Sequence, residues 1–141
     1  MNIKECIEER LLRIIPPDPG KRDSSIKTSE KKLKESRALL ESHFFNQAIL
    51  TAYTSMFHVA RALLYRDGIQ EKSHYAVYIY LKEKYGNKIS KTLLNAFESY
   101  QKERHNILYG FENDIGEEEA KESVFYASDF IVSIKLLLNI K

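Results

Sequence analysis

The sequence is short of cysteine, of long apolar runs and of excess charge of either sign, and each shortage removes a class of protein. A single cysteine, Cys6, excludes an internal disulfide and gives no thiol cluster for zinc or iron–sulfur binding; it is expected as a half-buried apolar filler. The longest apolar-rich runs, Phe130–Ile134 and Leu136–Leu138, fall far short of the roughly 20 residues that cross a bilayer. The opening Met1-Asn2-Ile3-Lys4-Glu5-Cys6 turns acidic early and has no apolar stretch of the secretory kind, so neither a signal nor a transit peptide is expected and the chain reads as cytoplasmic. Twenty-two basic residues against 20 acidic ones leave a net charge of +2, too even for a protein that coats nucleic acid through a strongly basic face. Also missing are a glycine-rich phosphate loop, a His-Glu-x-x-His pair, a serine elbow and an acidic cluster with metal-ligand spacing, so no cofactor and no metal are expected.

What is present is helical. With 141 residues, 43% of them hydrophobic, the chain is long enough for one packed core. Ile3–Ile15 reads as a short helix with Ile3, Ile7, Leu11 and Ile14/Ile15 on one side, stopped by Pro16-Pro17-Asp18-Pro19-Gly20; residues 1–23 are therefore expected to be an arm and linker that folding can do without. The bundle proper is expected over residues 24–141. Ser24, Ser25 or Thr28 should cap a helix to about Ser42, with Leu33, Arg37 and Leu40 inward. A longer helix follows from Phe45 to Asp67, closed by Gly68 and paired antiparallel with the first across the short turn at His43–Phe45. Ser73 opens a third helix that Gly86 closes. Ser90 opens a fourth, which runs to about Tyr109 before Gly110, and Asp114 or Gly116 leads into a fifth with Glu117, Glu118 and Glu119 at its positive end. No segment alternates with period two and no repeat is seen. The expected fold class is all-α, an up-and-down bundle of four to five helices.

Arg104 stands out. In the fourth helix Leu93, Phe97, Tyr100, Arg104, Leu108 and Phe111 recur at steps of three and four, so a guanidinium sits where hydrocarbon is expected. Arginine cannot shed its proton, and its rigid fork of donors suits carboxylate or phosphate. Two roles fit that position: an anion-binding cleft, or a snorkelling or ion-paired structural arginine. Lys102 and His105 lie within the same turn, diluted by Glu98 and Glu103. Among the histidines, His43 falls in a turn, His58 lies beside the apolar stripe of the second helix, His74 opens the third helix facing inward, and His105 points about 100° away from Arg104.

The stretch Ala52-Tyr53-Thr54-Ser55-Met56-Phe57-His58-Val59-Ala60-Arg61-Ala62-Leu63-Leu64, then Lys72-Ser73-His74, then Arg104-His105-Asn106-Ile107-Leu108-Tyr109-Gly110, resembles the HEPN domain superfamily, in particular its small stand-alone prokaryotic branch. The resemblance runs from Ile14-Ile15-Pro16-Pro17 almost to the carboxyl end. It implies a homodimeric helical bundle, binding to RNA or a nucleotide, metal-independent ribonuclease or toxin activity, and a minimal nucleotidyltransferase as antitoxin partner. It makes Arg104 the arginine of an Arg-(four to six residues)-His motif at a cleft shared by two copies. The ligand-binding candidates are Arg104, His58, Arg61 and His74, with His58 and His74 also fitting hydrogen-bonded packing roles in the core. The sequence departs from that motif at the histidine: the matching offsets hold Tyr109, Gly110 and Phe111, and the nearest histidine, His105, directly follows the arginine. Arg104, Tyr109 and His105 are the catalytic candidates. Tyr109, with an ordinary pKa of about 10, is a poor base at neutral pH, so enzymatic cleavage stays open beside a non-enzymatic substrate-binding or protein-interaction module.

Overall fold

The computed structural model describes residues 1–110 and 115–140, so Phe111 and Asp114 lie outside the described residues. The elements run α1 (Ile3–Glu8), β1 (Leu12–Ile14), α2 (Pro19–Glu41), α3 (Phe45–Asp67), β2 (Ile69–Glu71), α4 (His74–Tyr85), α5 (Lys91–Leu108) and α6 (Glu117–Leu137). The fold is an all-α bundle with one small two-stranded antiparallel sheet, in which Leu12 faces Glu71, Arg13 faces Gln70 and Ile14 faces Ile69.

Helix α3 is the axis of the molecule. Ala48, Ala52, Tyr53, Met56, Val59, Ala60, Ala62, Leu63 and Leu64 are nearly or wholly inaccessible, which is apolar surface on almost every side of one helix. Such a helix cannot face water, and α2, α4, α5 and α6 all pack on it. Its end is set by Gly68, whose left-handed φ of 77° lets the backbone turn back; a Cβ there would meet the Ile15 carbonyl oxygen at 2.7 Å. Helix α2 pairs with α3 most extensively and meets it largely through small residues: Ser25, Ser29 and Ser36 are buried with Ile26 and Leu33. Ser29 donates its hydroxyl to the Ser55 carbonyl at 2.8 Å and Ser36 to that of Leu33 at 2.7 Å, so these two buried hydroxyls are satisfied.

At the lower end of α3 the Asp67 carboxylate, about 10% exposed, gathers the neighbouring helices. Tyr80 and Tyr85 donate their hydroxyls to it, and Arg66 pairs with it at 3.3 Å while donating to Tyr85 and to the Leu137 carbonyl at 2.7 Å. Burial, reinforced by the hydrogen bond to Asp67, pushes the Tyr85 hydroxyl up to about 12. A buried carboxylate is tolerable on these terms, because hydrogen bonds and a guanidinium surround it.

The sequence expectations need correction at the amino end. Ile3–Ile15 is not one helix: α1 stops at Glu8, Arg10 takes a left-handed φ of 63°, and the chain continues as β1. The residues before Pro16 and Pro17 are forced toward extended backbone, and Gly68 delivers β2 alongside to pair with them. Nor is Pro16–Ser25 a linker. Asp18 accepts from the Lys21 amide at 2.9 Å as an N-cap and Pro19 occupies the first turn, so the proline run that reads as a stop is the start of α2, ahead of Ser24, Ser25 and Thr28. Arg37, expected inward, is exposed and donates to Ser128, and Cys6, expected half-buried, is fully buried. The termini of α3, α4, α5 and α6 fall within about a residue of expectation, and His43 is exposed in its turn.

Because Leu12 is 1% exposed and Cys6 wholly buried, the segment before α2 contributes to the core. Leu12→Ala should cost about 2–5 kcal/mol and lower the thermal midpoint by on the order of 10 °C. A midpoint within a few degrees of wild type, measured by circular dichroism, would restore the picture of a dispensable arm.

Candidate functional site

The site begins on α3, where Tyr53, Phe57, Arg61 and Tyr65 recur at four-residue steps and therefore share one face. His74, the first residue of α4, is set against that face by the Ser73 cap. Its ring stacks on Phe57 with centroids 4.0 Å apart and an interplanar angle of 13°, and the Tyr53 hydroxyl lies 2.9 Å from its Nδ1. His58 presents an edge to Phe57 at 5.9 Å, and the Arg61 guanidinium lies over the same ring at 5.7 Å. Arg61 donates to the Tyr65 hydroxyl at 2.6 Å. Its Nε stands 2.8 Å from the Glu71 carboxylate, an ion pair by distance whose N–H is not aligned for a hydrogen bond. Its Nη1 reaches His58 Nδ1 at 3.4 Å, and since a guanidinium can only donate, that nitrogen is the acceptor.

Arg104 approaches this cluster from α5. It is half-buried, and among the described residues no carboxylate comes within ion-pairing distance of it. Its field reaches both Tyr53 and His74. Burial first, then Arg104, Arg61 and His58, bring the His74 imidazole down to about 4; burial, Arg61 and Lys32 also lower His58. Burial raises the Tyr53 hydroxyl, opposed by Arg104. Two guanidinium groups flank neutral imidazoles; Arg61 is charge-paired with Glu71, and Arg104 is the cation of the group with no described carboxylate partner. Three residues before Arg104, Gln101 keeps its side-chain carbonyl oxygen buried with no hydrogen-bond partner among the described residues.

The candidates thus fall into two sets. Arg104, His74, Arg61 and His58 share one electrostatic neighbourhood on α3, α4 and α5. Tyr109 and His105 make the other: Tyr109 caps α5, is 66% exposed, and its ring lies 4.6 Å from that of His105. Five positions along a straight helix turn about 140°, which keeps Tyr109 off the Arg104 face within one chain. Sequence reasoning missed Tyr53, Phe57 and Tyr65 as site residues because aromatic side chains on a largely apolar helix read as packing; the available signal was the four-residue series that places Arg61 among them.

A cleft of about 260 Å³ between α2 and α3 adjoins the cluster, lined by Lys21, Ser24, Ser25, Thr28, His58, Arg61, Tyr65 and Gln70. A larger one of about 560 Å³ lies between α4 and α5 around Lys82, Lys84 and Lys91, and holds none of the sequence-derived residues. Among the described residues no three His, Cys, Asp or Glu side chains converge as metal ligands, and no helix is long and apolar enough to cross a membrane.

His74 gives a pH dependence with a definite sign. Its imidazole titrates near 4 in the folded chain and near 6.5 unfolded, so between those values the unfolded chain binds more protons and stability falls as pH falls. The thermal midpoint of wild type should therefore drop more between pH 7 and pH 5 than that of His74→Gln, which lacks the titration. Parallel curves for the two proteins would place the His74 pKa near its ordinary value.

Comparison with known proteins identifies the family. The chain is 39% identical over 59 residues to a UPF0332 protein of Pyrococcus horikoshii, a match covering 42% of each chain. It is 26% identical over 119 residues to a Methanocaldococcus jannaschii protein named "putative toxin", covering 76% of this chain and 80% of the other. The chain thus spans less than half of the first relative and most of the second. Residues 23–137, which hold α3, α4, α5 and every residue of both sets, match the HEPN domain, and the chain belongs to the HEPN family.

Proposed function

We propose that this HEPN protein binds RNA through an anion site centred on Arg104, with His74, His58 and Arg61 beside it, and acts as the toxin-type member of a pair whose other member is a minimal nucleotidyltransferase. The observation that carries the reading is the half-buried Arg104 guanidinium with no carboxylate partner among the described residues. A structural arginine at that depth would be expected to hold an acid, since an unpaired buried charge is costly. The name carried by the Methanocaldococcus relative supports the toxin role, and the family resemblance supports the partner.

The same reading calls for two copies of the chain. Cleavage through the RNA 2′-hydroxyl needs a base, an acid and a cation over the developing phosphorane charge. Arg104 serves as the cation, but Tyr109 and His105 sit on another face of α5, so they join it only if a second copy brings its own α5 end to the cleft. The exposed Leu108 and Tyr109 leave apolar surface there for a two-fold contact. Binding without cleavage is the second reading. It is favoured by the tyrosine at the motif's histidine offset and by a His74 whose pKa of about 4 makes it a weak base.

Arg104→Ala should leave the fold intact and lower RNA affinity about tenfold to a hundredfold, the value of one charge-assisted contact, with any cleavage falling at least as far. Tyr109→Phe, which removes only a hydroxyl, should abolish cleavage and spare binding if Tyr109 moves or orients a proton; His105→Ala tests the rival base. Light scattering should give twice the 16.5 kDa of the chain. A monomer would sink the shared cleft, and an Arg104→Ala protein that unfolds, with no RNA affinity in the wild type, would make Arg104 structural.

A further inference from the structure

We infer that the cleft between α2 and α3 is a second phosphate position, in which Lys21, Ser24 and Thr28 from α2 and His58 and Arg61 from α3 hold an internal phosphodiester of the RNA strand that Arg104 also grips. The inference rests on the Arg104 reading for the identity of the strand and on the cleft's own chemistry for its affinity for phosphate.

That chemistry is rich in donors, with the Glu71 carboxylate held against Arg61 at 2.8 Å. The lining supplies two permanent cations, an imidazole and the hydroxyls of Ser24, Ser25 and Thr28, and it contains no carboxylate. Ammonium, guanidinium and hydroxyl donors are the set that proteins turn to phosphate oxygens. At about 260 Å³ the cleft has room for a phosphate group. Arg61 is held in place by the Tyr65 hydroxyl and the Glu71 carboxylate, which leaves it a fixed fork with donors to spare. Lys21 lies over the Tyr65 ring at 5.8 Å, so both cations are organised around one aromatic side chain.

The cleft also connects to Arg104. Arg61 lies over Phe57, Phe57 stacks on His74, and His74 is acted on by Arg61 and Arg104 together. Two cation positions joined by one aromatic stack match a ligand that carries charge at intervals, which a single-stranded RNA does and an isolated phosphate does not.

The test uses the full chain with a short oligouridylate in its 5′-hydroxyl and 5′-phosphate forms, and inorganic phosphate as a separate probe. Lys21 is exposed and Thr28→Val preserves volume, so Lys21→Ala/Thr28→Val should fold as wild type in a thermal melt. It should bind both oligonucleotides about tenfold more weakly, the loss expected for one charge-assisted contact. Inorganic phosphate should shift the His58 ring resonances in wild type and in Arg104→Ala alike. Unchanged oligonucleotide affinity in Lys21→Ala/Thr28→Val, with a loss in Arg104→Ala, overturns the second position and leaves the Arg104 site standing. A loss in Lys21→Ala/Thr28→Val with none in Arg104→Ala supports the cleft and sinks the Arg104 reading. A loss confined to the 5′-phosphorylated strand overturns the internal phosphodiester assignment.

Discussion

The burial of α3 on nearly all sides is the constraint from which the rest of the architecture follows. A helix whose alanines, Met56, Leu63 and Leu64 leave almost no surface to water needs neighbours all round it, and α2, α4, α5 and α6 supply them. Polar residues on such a helix survive only where a neighbour or a cleft satisfies them. Ser55 does so by bonding to the Ala52 carbonyl of its own helix, and Asp67 by gathering two phenols and a guanidinium. His58 and Arg61 do so by opening onto the α2–α3 cleft. The site is the part of the α3 surface that the bundle does not close.

How much of this the sequence showed depends on the range of the interaction. Helix ends written in local chemistry were legible: Ser73 and Ser90 as caps, Gly68 as a left-handed stop, the acidic first turn of α6. The amino-terminal segment was not, because its structure is decided at a distance. Leu12–Ile14 becomes a strand only because Ile69–Glu71 is delivered beside it, more than fifty positions later in the chain. Pro16-Pro17-Asp18-Pro19 is ambiguous for another reason: proline ends one element and begins the next with equal ease, and only the Asp18 cap decides between them. The α2 stripe was misread at Arg37, and its buried serines went unnoticed, although a serine that bonds to a carbonyl, as Ser29 and Ser36 do, packs much as an alanine does.

The candidate site divides along the same line. Arg104 was visible as an apolar stripe broken by a charge, a purely local signal. That no described carboxylate pairs with it was not visible, since Glu98 and Glu103 are close in sequence and either could have turned toward it. Tyr53 and Phe57 were hidden because an aromatic on a core stripe reads as packing, and they do pack. Their second role, holding His74 by a stack and a hydrogen bond in reach of two guanidinium groups, depends on α4 crossing α3 where it does.

Overall charge obscured the most. A net +2 argues against a protein sheathed in basic residues. Averages say nothing about segregation, however, and the fold segregates. Glu103, Glu119 and Glu122 collect around one cleft beside Tyr100, between α5 and α6. Burial first, then Glu122, Tyr126 and Glu119, push the Tyr100 hydroxyl up to about 12. The α2–α3 cleft holds lysine, arginine and hydroxyls with no acid in its lining. Glu103 and Arg104 are adjacent in sequence, yet successive helical residues point about 100° apart, so one faces the acidic cleft and the other acts on His74. A single turn of α5 thus sorts opposite charges onto different faces, and a nearly neutral chain acquires a cationic site without a basic composition.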